Sequence, residues 1–250
     1  MVGSQFDRVA DRYDATRGGA ERGALVAADI APHLVPGPVF EVGVGTGLVA
    51  AALRDRGVPV FGADLSAAML SRAAARIPGA VVLADAHALP LPAGRVAGVV
   101  FSYVLHLVGD MPSALAEAAR VLRPGGRLVA VHGAPEHLDA DRDDLVGITA
   151  PLARLRDAVR PDTPTGVLSA AASAGLHEVV QTWATARTTQ ATPNELADTI
   201  ATKLWSYLWL VDEPTWRDTI DPVIAALRAL PDADRPRRQT ARMRLTVLAK

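Results

Sequence analysis

Short apolar runs and segments of helical period take turns along the first half of the chain. Val39–Val42, Val58–Ala63, Ala80–Leu83, Val96–Ser102 and Arg127–His132 are runs of four to seven residues, the length and character of buried strands. Between them, Leu48–Arg54, Ser66–Arg76 and Pro112–Leu122 read as helices, with Ser66 placed to cap the second. Strands and helices in this rhythm predict a parallel sheet wound on both faces, an α/β fold. Ahead of it, Phe6, Val9, Ala10 and Tyr13 fall at helical spacing over residues 5–17, and Gly18-Gly19 stops that segment. A second helix is predicted over Ala20–His33.

The pattern loosens in the second half. A helix is predicted near Asp141–Val159, a loop at 160–165, and a short helix over Val167–Ala174 ended by Gly175. Glu178–Thr188 and Ala241–Ala249 read as two further strands, separated by helices over Pro193–Val211 and Pro214–Leu230. That helical insertion holds Trp205, Tyr207, Trp209 and Trp216 in a chain that is only 4% aromatic, so the clustering calls for a reason. Trp205 and Trp209, at i and i+4, are expected on one helix face, either packed on the sheet edge or walling a substrate pocket. One domain is expected over 1–250: cap helices at 1–36, a core at 37–135, and a substrate half at 136–250 with a helical lid at about 192–232.

Composition removes several classes of function. At 250 residues, half of them hydrophobic, the chain can bury a large core. A net charge of −1 without charge runs argues against nucleic acid and against an anionic membrane surface. Arg235, Arg237, Arg238, Arg242 and Arg244 read as a solvated basic face. The absence of cysteine excludes disulfides, thiolate metal sites and cysteine catalysis. Residues 1–8 are too polar for a signal peptide, and the most apolar window, Val96–Gly109, is too short and polar to span a bilayer. We expect a soluble, cytoplasmic protein.

The chemistry gathers at Val39–Leu48. A strand ends at Val42, glycines follow at 43, 45 and 47, and a helix starts at Leu48. Such a turn brings backbone N–H groups close to a polar or anionic ligand, as nucleotide-like cofactors require. Its spacing is G-x-G-x-G, whereas dinucleotide folds prefer G-x-G-x-x-G, and no phosphate-loop motif occurs. Asp64 ends the second strand, where a carboxylate accepts from ribose hydroxyls. Asp85 follows the third, where one can accept from an exocyclic amine. Two carboxylates at neighbouring strand ends suit a neutral or cationic nucleoside and repel a phosphate-rich one.

Four stretches in order, Glu41-Val42-Gly43-Val44-Gly45-Thr46-Gly47, Gly62–Ser66, Ala84–Pro90 and Val121–Leu128, resemble the motifs of class I S-adenosylmethionine-dependent methyltransferases. The likeness is to the type 11 group, which includes quinone-biosynthesis and small-molecule methyltransferases, and it covers roughly Phe6–His132. It implies a seven-stranded, mostly parallel, Rossmann-like sheet closed by an antiparallel last strand, with S-adenosylmethionine as cofactor. By position it implies that Glu41 orders the loop or meets the methionine amino group, and that Gly43, Gly45 and Thr46 approach the methionine half. Asp64 would hold the ribose, Leu65 flank the adenine, and Asp85 with the Ala86 backbone read the adenine edge. Ser102 would face the methionine portion, and Tyr13 or Arg17 close over its carboxylate.

The expected activity is methyl transfer to O, N or C of a small, partly apolar metabolite, with no nucleic-acid or membrane partner. His106, just past the fourth strand, is a candidate general base for a substrate proton, or a structural hydrogen-bonding residue. Tyr103, His132, Trp205 and Trp209 are further candidates to face substrate. No metal is expected, because His132 and His137 lack helical ligand spacing. Two other readings stay open: a nicotinamide-dependent reductase, disfavoured because Leu107 stands where a Tyr-x-x-x-Lys pair from Tyr103 needs lysine, and a binding protein without turnover.

Overall fold

The structure, a computed structural model, describes residues 2–139 and 144–250. In chain order its helices and strands begin with α1 (Val2–Asp7), α2 (Ala10–Arg17), α3 (Gly19–Ile30), β1 (Val39–Val42), α4 (Leu48–Arg54), β2 (Val60–Asp64), α5 (Ala67–Arg76) and β3 (Val81–Leu83). They continue with β4 (Val96–Ser102), α6 (Met111–Val121), β5 (Leu122–His137), α7 (Asp144–Ala158), α8 (Pro164–Ser173), β6 (His177–Trp183) and β7 (Arg187–Ala191). The last are α9 (Pro193–Ala201), α10 (Glu213–Thr215), α11 (Asp221–Arg228) and β8 (Arg237–Ala249). They fall into two compact units. One comprises the chain up to Gly133 with Pro161–Thr185 and Met243–Lys250; the other comprises Ala134–Arg160 and Ala186–Arg242.

The first unit is built on a sheet ordered β3-β2-β1-β4-β5-β8-β6. β1 lies between β2 and β4, with Val39 opposite Val60 of β2 and Gly98 of β4 in parallel register. Alternate residues of each central strand face opposite sides. Phe40, Val42, Val99, Phe101, Leu128 and Ala130 enter one core with Leu115 and Ala118 of α6 and Val167 and Ala171 of α8. Val39, Val100, Val129 and Val131 enter another with Ile30 of α3, Leu53 of α4 and Leu70 of α5. Burial on both faces is why these strands read as continuous apolar runs. β6 pairs with β8 antiparallel, from His177 opposite Ala249 to Trp183 opposite Arg244.

The strand predicted over 178–188 is two strands. The chain bends after Trp183: Ala184 donates to the Met243 carbonyl, and Thr185 bonds the Asp29 carboxylate through its N–H and hydroxyl (2.9 and 2.5 Å). β7 then pairs with the first part of β8, Arg187 opposite Ala241, as an eighth strand off the main path. At the N-terminus the single helix predicted over 5–17 is broken into α1 and α2 between Asp7 and Ala10.

The second unit packs α7, α9 and α11 around Leu145, Leu152, Leu196, Ile200, Leu208, Ile220, Ile224 and Leu227. The predicted start of α7 at Asp141 lies outside the described residues. α9 opens with a capping box, Thr192 Oγ1 accepting the Glu195 N–H while the Glu195 carboxylate accepts the Thr192 N–H. It stops at Ala201, short of the predicted Val211, and Lys203 takes φ +52 beyond it. Trp205 and Trp209 therefore share no helix face. Trp205 stacks on Tyr207 with ring centres 5.8 Å apart, and Trp209 Nε1 donates to the Lys203 carbonyl at 2.7 Å. Between α10 and α11, Trp216–Ile220 form a π-helical turn. Pro222, in the first turn of α11, has no N–H to donate to a helical ladder.

Arg235 and Arg238 of the basic patch are exposed, whereas its other three arginines have partners. Arg237 pairs with Asp144, Arg242 with Glu136, and Arg244 lies 3.7 Å over the Trp183 ring. Among the described residues no helix is long and apolar enough to cross a membrane.

Candidate functional site

The three loop glycines have positive φ (+69, +55 and +81 for Gly43, Gly45 and Gly47), but their surroundings differ. A Cβ on Gly43 would stand 2.4 Å from Val104 Cγ2, and one on Gly47 3.0 Å from the Ala73 Cα. Those two glycines are needed for packing. Around Gly45 nothing lies within 4 Å of such an atom, so its backbone faces open space.

Two acids stand near that loop, one bonded to Gly45 itself. Asp64, at the end of β2, accepts the Gly45 N–H through Oδ2 (2.8 Å) and the Ser66 N–H through Oδ1 (2.9 Å). Burial raises its pKa, and these backbone donors hold it back. Leu65 beside it is 52% exposed, an apolar side chain left in the open next to the acid. Glu41 of β1 is 2% exposed. Burial pushes its carboxyl up to about 8; the Ser102 hydroxyl opposes that, the Asp64 charge adds to it, and the Ala50 N–H opposes it. Glu41 Oε2 and Ser102 Oγ are both buried without a hydrogen bond, although Ser102 is near enough to act on the carboxyl's charge. Two orphaned buried polar atoms next to an open glycine mark a place where a polar ligand would complete the bonding.

The N-terminal helices meet this loop through residues that the apolar spacing passed over. Asp14 accepts from Thr46 Oγ1 at 2.6 Å and from Arg76 at 2.5 Å, and Arg76 also donates to the Thr46 carbonyl. Asp11 pairs with Arg72, and Asp7 accepts from the Ser66 hydroxyl and the Ala68 N–H at the start of α5. Ser66 caps α5 as expected, accepting the Met69 N–H. Tyr13 packs edge-on against Phe6 with Arg17 5.8 Å over its ring, so it is Asp14, beside them, that bonds the glycine loop.

Asp85 is half exposed after β3. It accepts from the His87 N–H and meets His87 Nδ1 at 2.6 Å, and the backbone donor is the main reason its pKa is lowered. His87 Nε2 in turn reaches the Asp110 carbonyl at 3.1 Å, tying this loop to the start of α6. Ala86 is half buried against the core.

Past β4 the backbone turns at Tyr103, a non-glycine residue with φ +59, whose ring carries the Arg22 guanidinium at 3.9 Å. Val104 fills the space over Gly43, and His106 follows in a single 3₁₀ turn. His106 Nδ1 lies 3.8 Å from Oδ2 of Asp162, a fully buried acid in the loop before α8 that the sequence pattern did not single out. His132 is not available to a substrate. It is fully buried, with Nδ1 on the Asp162 carbonyl (2.9 Å) and Nε2 on Thr246 Oγ1 (2.8 Å). Trp205 and Trp209 belong to the second unit and make the contacts within it described above.

Residues 40–130 match the family described as "Methyltransferase domain". Over 145 residues the chain is 37% identical to a ubiquinone/menaquinone biosynthesis C-methyltransferase (UbiE) of Desulfotalea psychrophila, covering 54% of this chain and 58% of that one. The chain thus spans less than two thirds of that relative's length. Among solved structures it resembles geranyl diphosphate C-methyltransferase of Streptomyces coelicolor, crystallised with S-adenosyl-L-homocysteine, at 18% identity and a TM-score of 0.54, over 90% of this chain and 78% of that one. It also resembles the [4+2]-cyclase SpnF at 17% identity and a TM-score of 0.59, over 98% and 94%. At these identities the likeness to both structures is one of fold.

Proposed function

We propose, since residues 40–130 match the methyltransferase-domain family, that this protein transfers a methyl group from S-adenosylmethionine to a small, partly apolar molecule. The observation that carries the reading is Gly45, open on one side and bonded to Asp64, whose charge reaches the buried Glu41 with its unbonded Oε2. The donor set fits the cofactor. Asp64 offers a carboxylate to ribose hydroxyls, and Glu41 with Ser102 offers unbonded oxygens to the methionine ammonium. Leu65 offers an exposed apolar surface to the adenine, and Asp85 with Ala86 stands where its edge would be read. A phosphate-bearing dinucleotide would meet repulsion from the same acids.

Bound there, S-adenosylmethionine supplies a methyl already activated on a sulfonium. The chain's own work is then alignment and exclusion of water. Glu41 and Asp64 fix the cofactor ends, Asp14 holds α2 to the loop at Thr46, and His106 takes a proton from an acceptor that must lose one. The matched segment is the cofactor half. The quinone acceptors named for the relatives are therefore a first panel for this chain, and other small phenols and enols a second.

The test is calorimetric titration with S-adenosylhomocysteine and with NADPH, followed by mass-spectrometric detection of S-adenosylhomocysteine formed with quinols, phenols and amines as acceptors. Saturable binding of S-adenosylhomocysteine and methylated product are the expected results. Binding of NADPH alone would replace this reading with the reductase.

A further inference from the structure

We infer that His87 is a positioning and specificity residue for the adenine of the cofactor: as an imidazolium it bridges Asp85 and the start of α6, and so fixes Oδ2 of Asp85 as the acceptor of the exocyclic amine. The inference rests on the reading of this site as one for S-adenosylmethionine, while the charged bridge itself stands on geometry.

Both ring nitrogens of His87 meet oxygens. Nδ1 lies 2.6 Å from Asp85 Oδ1, and Nε2 lies 3.1 Å from the Asp110 carbonyl. A backbone carbonyl only accepts, and so does an ionised carboxylate, so each contact needs a hydrogen on the ring nitrogen. Asp85 is ionised, because the His87 N–H, which donates to Oδ1 at 2.9 Å, is the main influence lowering its pKa. Neutral imidazole carries one ring hydrogen and would leave two acceptors facing each other at the other contact. The imidazolium carries two and satisfies both.

Burial opposes a charge on this ring, but the Asp85 carboxylate, the Asp110 carbonyl and the charges of both acids outweigh it and hold the His87 pKa above its ordinary 6.5. Those two acids are the charged groups that bear on the ring. Farther along the same loop, Glu117 of α6 accepts the Leu89 N–H and Arg120 donates to the Leu89 carbonyl, and these two side chains pair with each other.

The bridge ties down an acid that its own loop leaves half exposed. Every bond described for the Asp85 side chain falls on Oδ1, so Oδ2 is the oxygen left for a ligand. The far end of the bridge is firm: Asp110 caps α6, its Oδ1 accepting the Ser113 N–H and its carbonyl also accepting the Ala114 N–H. Joined to that helix through the ring, the carboxylate cannot turn without giving up the bridge, and Oδ2 keeps one direction. An acceptor fixed in this way suits an amine and rejects a carbonyl oxygen at the same position, which would face it lone pair to lone pair. Without His87 the carboxylate can turn toward whatever donor the base offers, and the discrimination fades.

The deciding experiment is calorimetry with S-adenosylhomocysteine and with S-inosylhomocysteine, in which a carbonyl oxygen replaces the adenine amine. Wild type should prefer S-adenosylhomocysteine by about tenfold, as one charge-assisted hydrogen bond allows, and His87→Ala by about twofold or less. The wild-type preference should shrink as pH rises through the His87 midpoint, and that of His87→Ala should not change over the same range. Equal preference in the two proteins, or a wild-type preference indifferent to this pH range, overturns the inference. ¹⁵N spectra of the protein without cofactor read the bridge directly. Both ring nitrogens should carry hydrogen below a midpoint that lies above 6.5, and Asp85→Asn should lower that midpoint by about one pH unit. A wild-type midpoint at or below 6.5 overturns the bridge, whatever the variants do. Failure of wild type to bind S-adenosylhomocysteine at all would overturn the cofactor reading together with the specificity role, whereas binding without the expected preference overturns this inference alone.

Discussion

Asp64 Oδ2 accepts the Gly45 N–H across 2.8 Å, joining the acid at the end of β2 to the one loop glycine that faces open space. Replacing Asp64 with alanine removes the acceptor for two backbone donors as well as the proposed ribose contact. We expect S-adenosylhomocysteine to bind Asp64→Ala more weakly by about 1–3 kcal/mol, with Asp64→Asn in between. Calorimetry showing equal affinity for all three proteins would remove Asp64 from the site.

Glu41 predicts a pH dependence. Its carboxyl titrates near 8 in the folded protein against an ordinary value of 4.5. Between those values the folded chain holds a proton that the unfolded chain has released, so this group's contribution to stability is full below about pH 4.5 and is lost as pH rises through about 8. Glu41→Gln should flatten that slope: it should melt above wild type at pH 8.5, with the gap closing toward pH 5. A wild-type melting curve with no excess slope over this window contradicts the assignment.

The same buried acid couples cofactor binding to protons. An arriving ammonium favours the carboxylate, so wild type should release a proton on binding near neutral pH, and Glu41→Gln should not. Binding heats measured in buffers of different ionisation enthalpy read this directly; identical heats for wild type across buffers would exclude the coupling.

Gly43 and Gly45 should respond differently to alanine. Both pay the left-handed backbone cost, about 1–2 kcal/mol, but only Gly43→Ala also drives a methyl into Val104. Gly43→Ala is expected to lose clearly more thermal stability, while Gly45→Ala stays folded and loses cofactor affinity. Equal melting temperatures would show that Val104 yields at little cost.

Asp14 ties α2 to the glycine loop through Thr46 and Arg76. Asp14→Ala should raise amide exchange over residues 10–17 and weaken S-adenosylhomocysteine binding, leaving exchange in β1 and β4 unchanged. Unaltered exchange in α2 would mean that Asp11–Arg72 and the Asp7 contacts suffice.

The elements that position the cofactor loop were legible because each strand is buried on both faces and each turn carries its own chemistry. Ser66 is a cap wherever a helix begins at Ala67, and Gly43-x-Gly45-x-Gly47 is a turn wherever a strand precedes it. The N-terminal contacts were less visible. Asp7, Asp11 and Asp14 lie at intervals of four and three, as do Arg72 and Arg76 at four, but complementary stripes show only once α1, α2 and α5 are known to meet. The helix predicted over 193–211 overran because apolar spacing continues through Leu208, while Lys203, with φ +52, ends the helix by backbone geometry that periodicity does not record.

By itself the sequence determined the alternation of strands and helices, the acids at the ends of β1 and β2, and the glycine turn between them, because those depend on local periodicity and neighbouring residues. Only the tertiary structure decided which glycine is open, that burial raises the pKa of Glu41, that His132 is a core residue, and that Asp162 stands against His106. Burial and the approach of residues 56 positions apart are properties of the packed chain, and they set the charge state and role of a side chain whose identity alone leaves both open.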